Sequence, residues 1–353
     1  LYAYASGNDY NVGAQASGVY SYCGNGGNAG SFKIGCYDVM FDPISKSPYL
    51  IGVAALNANN TRASYSSPGS MNWVSAPGGE FGYNSSYTGV SGNPAIMTID
   101  QSSCSKGYAS SNRTTVNAFV DNSSPHSENA TCNYTNTFNG TSSAAPNVAG
   151  VIALMIEANS NLTWRDVKHI LATTAVQVHT GFSATALNGV DYVGWVTNGA
   201  SLKFHPWYGF GAVDATAAVN AAASHTNLGS HSFTSWLDST SESTTMNDLT
   251  LYTRSLTESG AGTVEHISVR IVFSHSVPNH LGFRLESPSG TVSTLFPPLT
   301  VFQKDPTTGY YTYMATNAFY GESKAGTWKL HIVDHISGTT GTFAQWGIQF
   351  MHR

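Results

Sequence analysis

The run Asn139-Gly140-Thr141-Ser142-Ser143-Ala144-Ala145-Pro146, followed by the apolar stretch Val148 to Met155, constrains this chain more than any other feature. A glycine that permits a tight turn leads into small residues and then into a helix-length apolar run. The pattern predicts a turn that opens a buried helix with Ser142 at its N-terminus. Pro146 is expected in the first helical turn, where a missing N–H costs nothing. Unpaired N–H groups and the positive end of the helix dipole stabilise negative charge forming beside the serine. Ser143, Ala144 and Ala145 leave room for a substrate carbonyl, so the run suits a nucleophile.

A lone Gly-Thr-Ser is a common helix start. The longer pattern Gly-Thr-Ser-x-Ala-x-Pro-x-x-Ala, met here from Gly140 to Ala149, is far more specific. It resembles the active-serine motif of the subtilisin-like serine proteases. Upstream, Leu1 to Ala5 reads as the end of a buried strand broken by Ser6-Gly7-Asn8. The tetrad Ala5-Ser6-Gly7-Asn8 matches the family's Ala-x-Gly-Asn, so the resemblance implies that Asn8 is the oxyanion-hole amide. It also implies that Ala5, Ser6 and Gly7 line one wall of the S1 pocket. Such a donor contributes about 3 kcal/mol of transition-state stabilisation.

Two further stretches, Asn161-Leu162-Thr163-Trp164-Arg165-Asp166-Val167 and Tyr208-Gly209-Phe210-Gly211, resemble the kexin/furin branch. Thr163 and Asp166 make a capping box, and Val167, Ile170 and Leu171 give the helix behind it one apolar face. Kexin-type enzymes prefer a basic residue before the cut, read by an acid in the loop after the oxyanion asparagine. Sliding Tyr49 to Asn57 onto the family's next strand without gaps puts Asp42 at that acid, with Asp38 as runner-up. The same alignment puts Ser67 where the family has a calcium-binding Glu. Structural calcium (Ca2+) is expected from the family, with its ligands unassigned.

Strand signals dominate from about residue 223. Val264 to Ile271 alternates for a half-buried strand. Leu281 to Thr291, Gly326 to Ile332 and Gly341 to Phe350 read as strands with Pro, Ser and Gly turns. This block resembles the P domain of kexin-type proteases, although the family carries an acid where this chain reads Asn279-His280-Leu281. The expected architecture is α/β: residues 1–222 form the C-terminal part of a subtilisin-like three-layer catalytic domain, and residues 223–353 a linker and an all-β jelly-roll P domain.

The 353 residues suffice for two domains. Only 10% of them are Asp, Glu, Lys or Arg, with net charge −5, which argues against nucleic acid as a partner. No apolar stretch of about 18 residues predicts a membrane span. Of the three possible pairings of four cysteines, Cys23–Cys36 and Cys104–Cys132 are favoured. Each would staple a loop rich in Gly, Asn and Ser, and an oxidising compartment, secreted or periplasmic, follows. The stretch from Gly82 to Asn136 reads as a surface insertion, with His126 a solvated loop residue.

The family's triad runs Asp, His, Ser, with both partners ahead of the oxyanion asparagine. All twelve histidines here lie at or beyond His126. His126, His169, His179 and His205 each have a plainer role in a loop, on a helix or near a domain junction. Serine without a base is a poor nucleophile at neutral pH. The Asp and His are therefore expected from an N-terminal segment not contained in these residues, and the chain alone is expected to be inactive. Expected partners are protein or peptide substrates, that segment, and a propeptide or chaperone. The alternatives are a catalytically dead remnant serving as a protein-binding module, and an esterase, whose Gly-x-Ser-x-Gly elbow is not met at Ser142.

Overall fold

The computed structural model describes residues 1–10, 19–20, 36–82, 94–109, 119, 126–300, 302–303 and 310–353. Strands β1 (Tyr2–Ala5), β2 (Leu50–Leu56) and β3 (Asn72–Pro77) form a parallel sheet in that order. All seven residues of β2 are buried. A middle parallel strand covered on both faces reads as a near-continuous apolar run, which Leu-Ile-Gly-Val-Ala-Ala-Leu is. Tyr49, expected as its first residue, lies just outside it.

A hairpin of β4 (Ile96–Ile99) and β5 (Tyr134–Phe138) follows. The Cys104–Cys132 disulfide, spanning 28 residues, closes the hairpin's connection. A loop of that length stabilises by roughly 3–4 kcal/mol in the chain-entropy account. Cys36 is buried, while Cys23, its expected partner, lies outside the described residues.

Helix α1 (Thr141–Ala158) packs Val148, Val151, Ile152 and Met155 onto the sheet, the spacing of one helical face. The expectation of a wholly buried helix needs correction. Its run is apolar all round, yet Leu154 is 50% and Ile156 44% exposed on the far face. Helix α2 (Trp164–Thr174) opens on the expected capping box: Thr163 N donates to Asp166 Oδ2 at 2.7 Å, and Asp166 N donates to Thr163 Oγ1 at 3.4 Å. Val167, Ile170 and Leu171 are buried as expected. Asp214 caps α3 (Ala215–Ala223).

Beyond α3 the chain is all β. Ser232–Phe233, Leu237–Asp238 and Thr244–Met246 each pair with the final strand. Strands β6 (Leu251–Glu258), β7 (Val264–His275), β8 (Leu281–Glu286), β9 (Val292–Phe296), β10 (Tyr310–Thr316), β11 (Gly326–Asp334) and β12 (Gly341–His352) build two antiparallel sheets, β12-β7-β10 and β6-β11-β8-β9. Val269, Ile271, Phe283, Trp328, Leu330, Trp346 and Phe350 fill the space between them. Strand β7 runs four residues past its expected end because its pairing with β12 continues through a bulge at Val272–Phe273 to His275.

The two units share a polar, buried seam. Glu265 accepts from Arg165 Nε at 2.6 Å and from Arg353 at 3.2 Å. A second bond from the Arg165 guanidinium makes its grip bidentate. Asn198 Nδ2 donates to the carbonyls of Ala318 and Tyr320, each at 2.9 Å. Asn317 Nδ2 donates to Met71 O at 3.0 Å, and Gly199 N to Glu322 Oε1 at 2.7 Å.

Candidate active site

The C-terminal ends of β1 and β3 meet at the start of α1. Ser6 N donates to Val53 O at 3.1 Å, and Gly7, with φ +104°, turns the chain out of the sheet. Asn8 then faces Thr141. Its Oδ1 accepts from Thr141 N at 2.8 Å and from Thr141 Oγ1 at 3.0 Å, while Thr141 Oγ1 accepts from Gly7 N at 3.1 Å. Thr141 has no exposed surface while Asn8 is exposed, so the latch joins a buried threonine to an asparagine open to solvent. Oδ1 being committed, the Asn8 amide nitrogen is the group left for another partner.

Gly140 caps α1 at φ +102° and brings no side chain. A Cβ there would sit 3.4 Å from Asn8 Nδ2 and 3.5 Å from Ser142 N. Two nitrogen donors therefore flank the space that the glycine leaves open. Ser142 N belongs to the first helical turn, whose N–H groups have no intrahelical acceptor. The Ser142 side chain is exposed, next to the buried Ser143 and Ala144.

Pro146 is not in the first turn. With α1 starting at Thr141, it is the sixth helical residue. An α-helical N–H bonds the carbonyl four residues back, so the missing donor leaves the carbonyl of Ser142 without a helical partner. The expectation that Pro146 costs nothing is corrected: it frees a backbone oxygen on the serine itself.

Tyr65 holds the turn from below. Its buried hydroxyl accepts from Gly140 N at 2.8 Å and lies 2.8 Å from Gly78 O and 2.6 Å from Gly79 O. Burial pushes its pKa above the usual phenol value, so the proton stays for donation. Gly78 approaches so closely that a Cβ would meet Ala55 Cβ at 2.5 Å. The loop carrying Tyr65 is held by Arg62, whose guanidinium lies 3.4 Å from the Tyr10 ring centroid and donates to the carbonyls of Ala63 at 2.8 Å and Ser64 at 2.9 Å. Buried Glu80 accepts from Ser64 N at 2.7 Å. Sequence reasoning missed Tyr65, Arg62 and the latch role of Thr141. The signal was an Arg and a Tyr within the small polar run 62–67.

Asp42 and Asp38 lie on one short segment, capping the 3-10 turns Pro43–Lys46 and Val39–Phe41. Asp42 Oδ1 accepts from Ile44 N at 3.0 Å, and its Oδ2 accepts from the Tyr4 hydroxyl on β1. Asp38 is buried and accepts from Met40 N at 2.9 Å. Burial raises its pKa to about 7, against the lowering pull of the Met40 N–H and of Lys46. Val39, Met40 and Met71 pack into the second unit's hydrophobic core, not their own. Met40 Sδ lies 3.3 Å from Ala315 N and 3.4 Å from Ser70 Oγ.

The histidines go elsewhere. His126 is exposed and caps the turn Ser127–Asn129. His169 Nδ1 lies 3.1 Å from the Tyr320 hydroxyl, and His179 Nδ1 2.9 Å from that of Tyr208. His205 is fully buried among Phe182, Trp195, Trp207 and Tyr208, and burial holds its pKa well below the usual value. Among the described residues no hydrogen bond joins a histidine to Ser142.

Among the described residues no three His, Cys, Asp or Glu side chains stand together to hold a metal ion, so the calcium ligands stay unassigned. Ser67, at the position where the resemblance expects a carboxylate ligand, brings a buried hydroxyl that accepts from Asp9 N at 3.1 Å. No described helix is long and apolar enough to cross a membrane.

Comparison with known proteins supplies the frame for this geometry. A family model described as the subtilase family matches residues 1–211, and one described as the proprotein convertase P-domain matches residues 264–350. The chain is 32% identical over 363 aligned positions to the Aeromonas extracellular serine protease of Aeromonas sobria, covering 96% of this chain and 56% of that protein. It is 38% identical over 204 positions to proprotein convertase subtilisin/kexin type 6 of Rattus norvegicus, covering 55% of this chain and 20% of that protein. The solved complex of the Aeromonas sobria serine protease with a chaperone superposes with a TM-score of 0.83 at 27% identity, over 99% of this chain and 64% of the protease. The chain thus spans about half the length, or less, of the curated relatives it matches.

Proposed function

Because the chain belongs to the subtilase family and carries a P-domain behind its subtilase unit, we propose that it is the part of a serine endopeptidase that holds the nucleophile and the oxyanion donors. The carrying observation is the pair of donors, Asn8 Nδ2 and Ser142 N, flanking the open side of Gly140. In this reading Ser142 Oγ adds to the scissile carbonyl while its proton passes to an imidazole. The new oxyanion rests between the two donors. Collapse breaks the C–N bond, the leaving amine takes the proton, and water hydrolyses the acyl-serine.

The imidazole and its carboxylate partner come from a part of the protein outside these 353 residues. Three observations support this. No described histidine bonds Ser142. The far face of α1 is apolar and exposed at Leu154 and Ile156, and β1 lies at the edge of a parallel sheet with Tyr2 69% exposed. Such sheets are normally covered on both faces. The Aeromonas relative is also nearly twice as long.

A basic residue before the scissile bond is the preferred substrate feature, read by Asp42 with Asp38 as the alternative. Its support is the Tyr4 hydroxyl, which ties Asp42 to the strand ending in Ala5-Ser6-Gly7, the wall of S1. A chaperone or propeptide is the fitting folding partner, since a similar protease was solved with a chaperone. Export to an oxidising compartment fits the Cys104–Cys132 bridge and the extracellular relative.

The test expresses the full-length protein and residues 1–353 separately. Each is offered an active-serine phosphonate and peptides with Arg, Lys or Leu before the cut. The full-length protein should turn over, and Ser142→Ala should abolish turnover. The 353-residue chain should be inert. Ser142-dependent turnover by residues 1–353 alone overturns the external base. An inert full-length protein overturns the enzyme reading in favour of a binding module.

A further inference from the structure

A cleft lined by both units is left unused by the steps above. One wall is the hairpin of Thr185–Leu187 and Val190–Val193, with Trp195 and Phe204 beside it. The other wall is Arg284 on β8 and the start of β9 from Val292 to Thr294. The cleft encloses about 270 Å3, just under the roughly 300–1,000 Å3 of drug-sized ligand pockets, and such sites favour the junctions of domains.

Its walls are held from behind, so the cleft is preformed. Trp195 stacks on Tyr208, with ring centroids 5.7 Å apart and planes 13° from parallel. Phe204 meets Phe210 at 5.4 Å. Tyr192 is buried, and its hydroxyl bonds the ring of His335. Gly282 on β8 leaves the room that this hydroxyl fills, since a Cβ there would strike it. Thr294 Oγ1 donates to Tyr192 O at 2.7 Å and ties one wall to the other.

The charges in the cleft are unsatisfied. Five other arginines are described, and each has an acceptor: backbone carbonyls for Arg62, Glu265 for Arg165 and Arg353, Glu242 for Arg254, and Asp238 for Arg270. Arg284 has no hydrogen bond or ion pair among the described residues; its half-buried guanidinium lies 5.8 Å from the Tyr192 ring centroid. Asp191, exposed on the facing wall, has no partner among the described residues either, and no ion pair joins it to Arg284. A guanidinium partly out of water is a strong, two-pronged receiver of a carboxylate. A lone carboxylate across from it favours an ammonium. Between them Tyr192, Trp195 and Phe204 offer aromatic surface. One small molecule carries all three complements.

We infer that the cleft binds a free α-amino acid with a large apolar side chain. Its carboxylate rests on Arg284, its ammonium turns to Asp191, and its side chain lies against Tyr192, Trp195 and Phe204. The occupant touches both units and braces the seam between them. Nothing in this inference depends on the reading of Ser142.

The experiment uses the full-length protein treated with the active-serine phosphonate, so that a substrate site contributes no binding. Equilibrium dialysis with radiolabelled phenylalanine should show one site per chain, and saturation should raise the unfolding temperature. N-acetylphenylalanine, which keeps only the carboxylate, should bind about 2- to 5-fold more weakly, the worth of an exposed ion pair. Phenylalaninamide, which keeps only the ammonium, should lose about 10- to 100-fold, the worth of a charge-assisted hydrogen bond. Arg284→Met should weaken phenylalanine by that same 10- to 100-fold. Asp191→Asn should erase the difference between phenylalanine and its N-acetyl form. Arg284 has no ion pair to lose, so its variant should unfold near the temperature of the unaltered protein; if it fails to fold, the ligand series and Asp191→Asn decide. No saturable binding by the unaltered protein overturns the inference, as does unchanged affinity in both variants. N-acetylphenylalanine binding as tightly as phenylalanine overturns the free amino acid in favour of a peptide C-terminus.

Discussion

The turn that presents Ser142 and the segment that carries Asp38 and Asp42 are supported from opposite directions. The turn is held within its own unit, by the Thr141–Asn8 latch and by Tyr65 beneath Gly140. The acid-bearing segment drives Val39 and Met40 into the core of the second unit, where Met40 sits against Ala315. In the proposed enzyme, bond-breaking chemistry would depend on local hydrogen bonds, and the choice of residue before the cut on packing between units. The two should respond to different insults.

The largest effect should come from the seam itself. Glu265→Ala leaves the buried Arg165 and the half-buried Arg353 without their carboxylate, and stranding the buried guanidinium costs about 3–5 kcal/mol. Thermal unfolding followed separately in each unit should show both destabilised. A drop confined to the second unit breaks the comparison, because it would mean that the first unit does not lean on the seam.

Next is Asp38. Its pKa is raised by burial to about 7 from 3.8, so between those values the folded state keeps a proton that the unfolded chain has released. Stability is therefore highest below about pH 4, declines as pH rises, and is fully lost from this source above about pH 7. At roughly 1.4 kcal/mol per pH unit this amounts to at most about 4 kcal/mol. Asp38→Asn should flatten the decline, narrowing the gap between unfolding temperatures measured at pH 4.5 and pH 7.5. An unaltered gap would show that Asp38 is ionised throughout.

Met40→Ala should cost about 2–3 kcal/mol as a buried truncation. It should also raise KM for peptides with Arg or Lys before the cut more than for Leu. Equal losses on all three sever the link between the second unit's core and substrate choice.

Tyr65→Phe is the smallest change and the counterpart test. It leaves Gly140 N–H buried without an acceptor, at about 1–3 kcal/mol. The loss should fall on kcat, by a common factor for Arg, Lys and Leu substrates. A shift in preference would mean that the turn and the acid-bearing segment are coupled after all.

What could be read from the sequence follows the same division. Gly140 and Ser142 lie two residues apart and Thr163 and Asp166 three, so local geometry dictates them. The sandwich strands announced themselves through alternation, with ends misjudged where β7 and β12 pair through a bulge. Tyr65 escaped notice because its partner lies 75 positions away, and no local pattern marks a hydroxyl as an acceptor for a distant N–H. Pro146 was misplaced because the helix start determines whether its missing donor matters. Leu154, inside the apolar run, reads as buried because hydrophobicity states that a residue wants cover, not whether cover is present. Met40 reads as an ordinary core methionine, and its sequence cannot say whose core.

The grip of Arg165 and Arg353 on Glu265 also bears on transplantation. A designer moving this P domain onto another subtilase would carry Glu265 and Arg353 away and strand Arg165 in the donor. The recipient would have to supply a guanidinium at the matching place on its own helix. Grafts chosen by hydrophobic fit alone would bury Glu265 against a surface with one cation too few. Arg165, the residue after the capping-box tryptophan, is therefore the compatibility key to check before any such exchange.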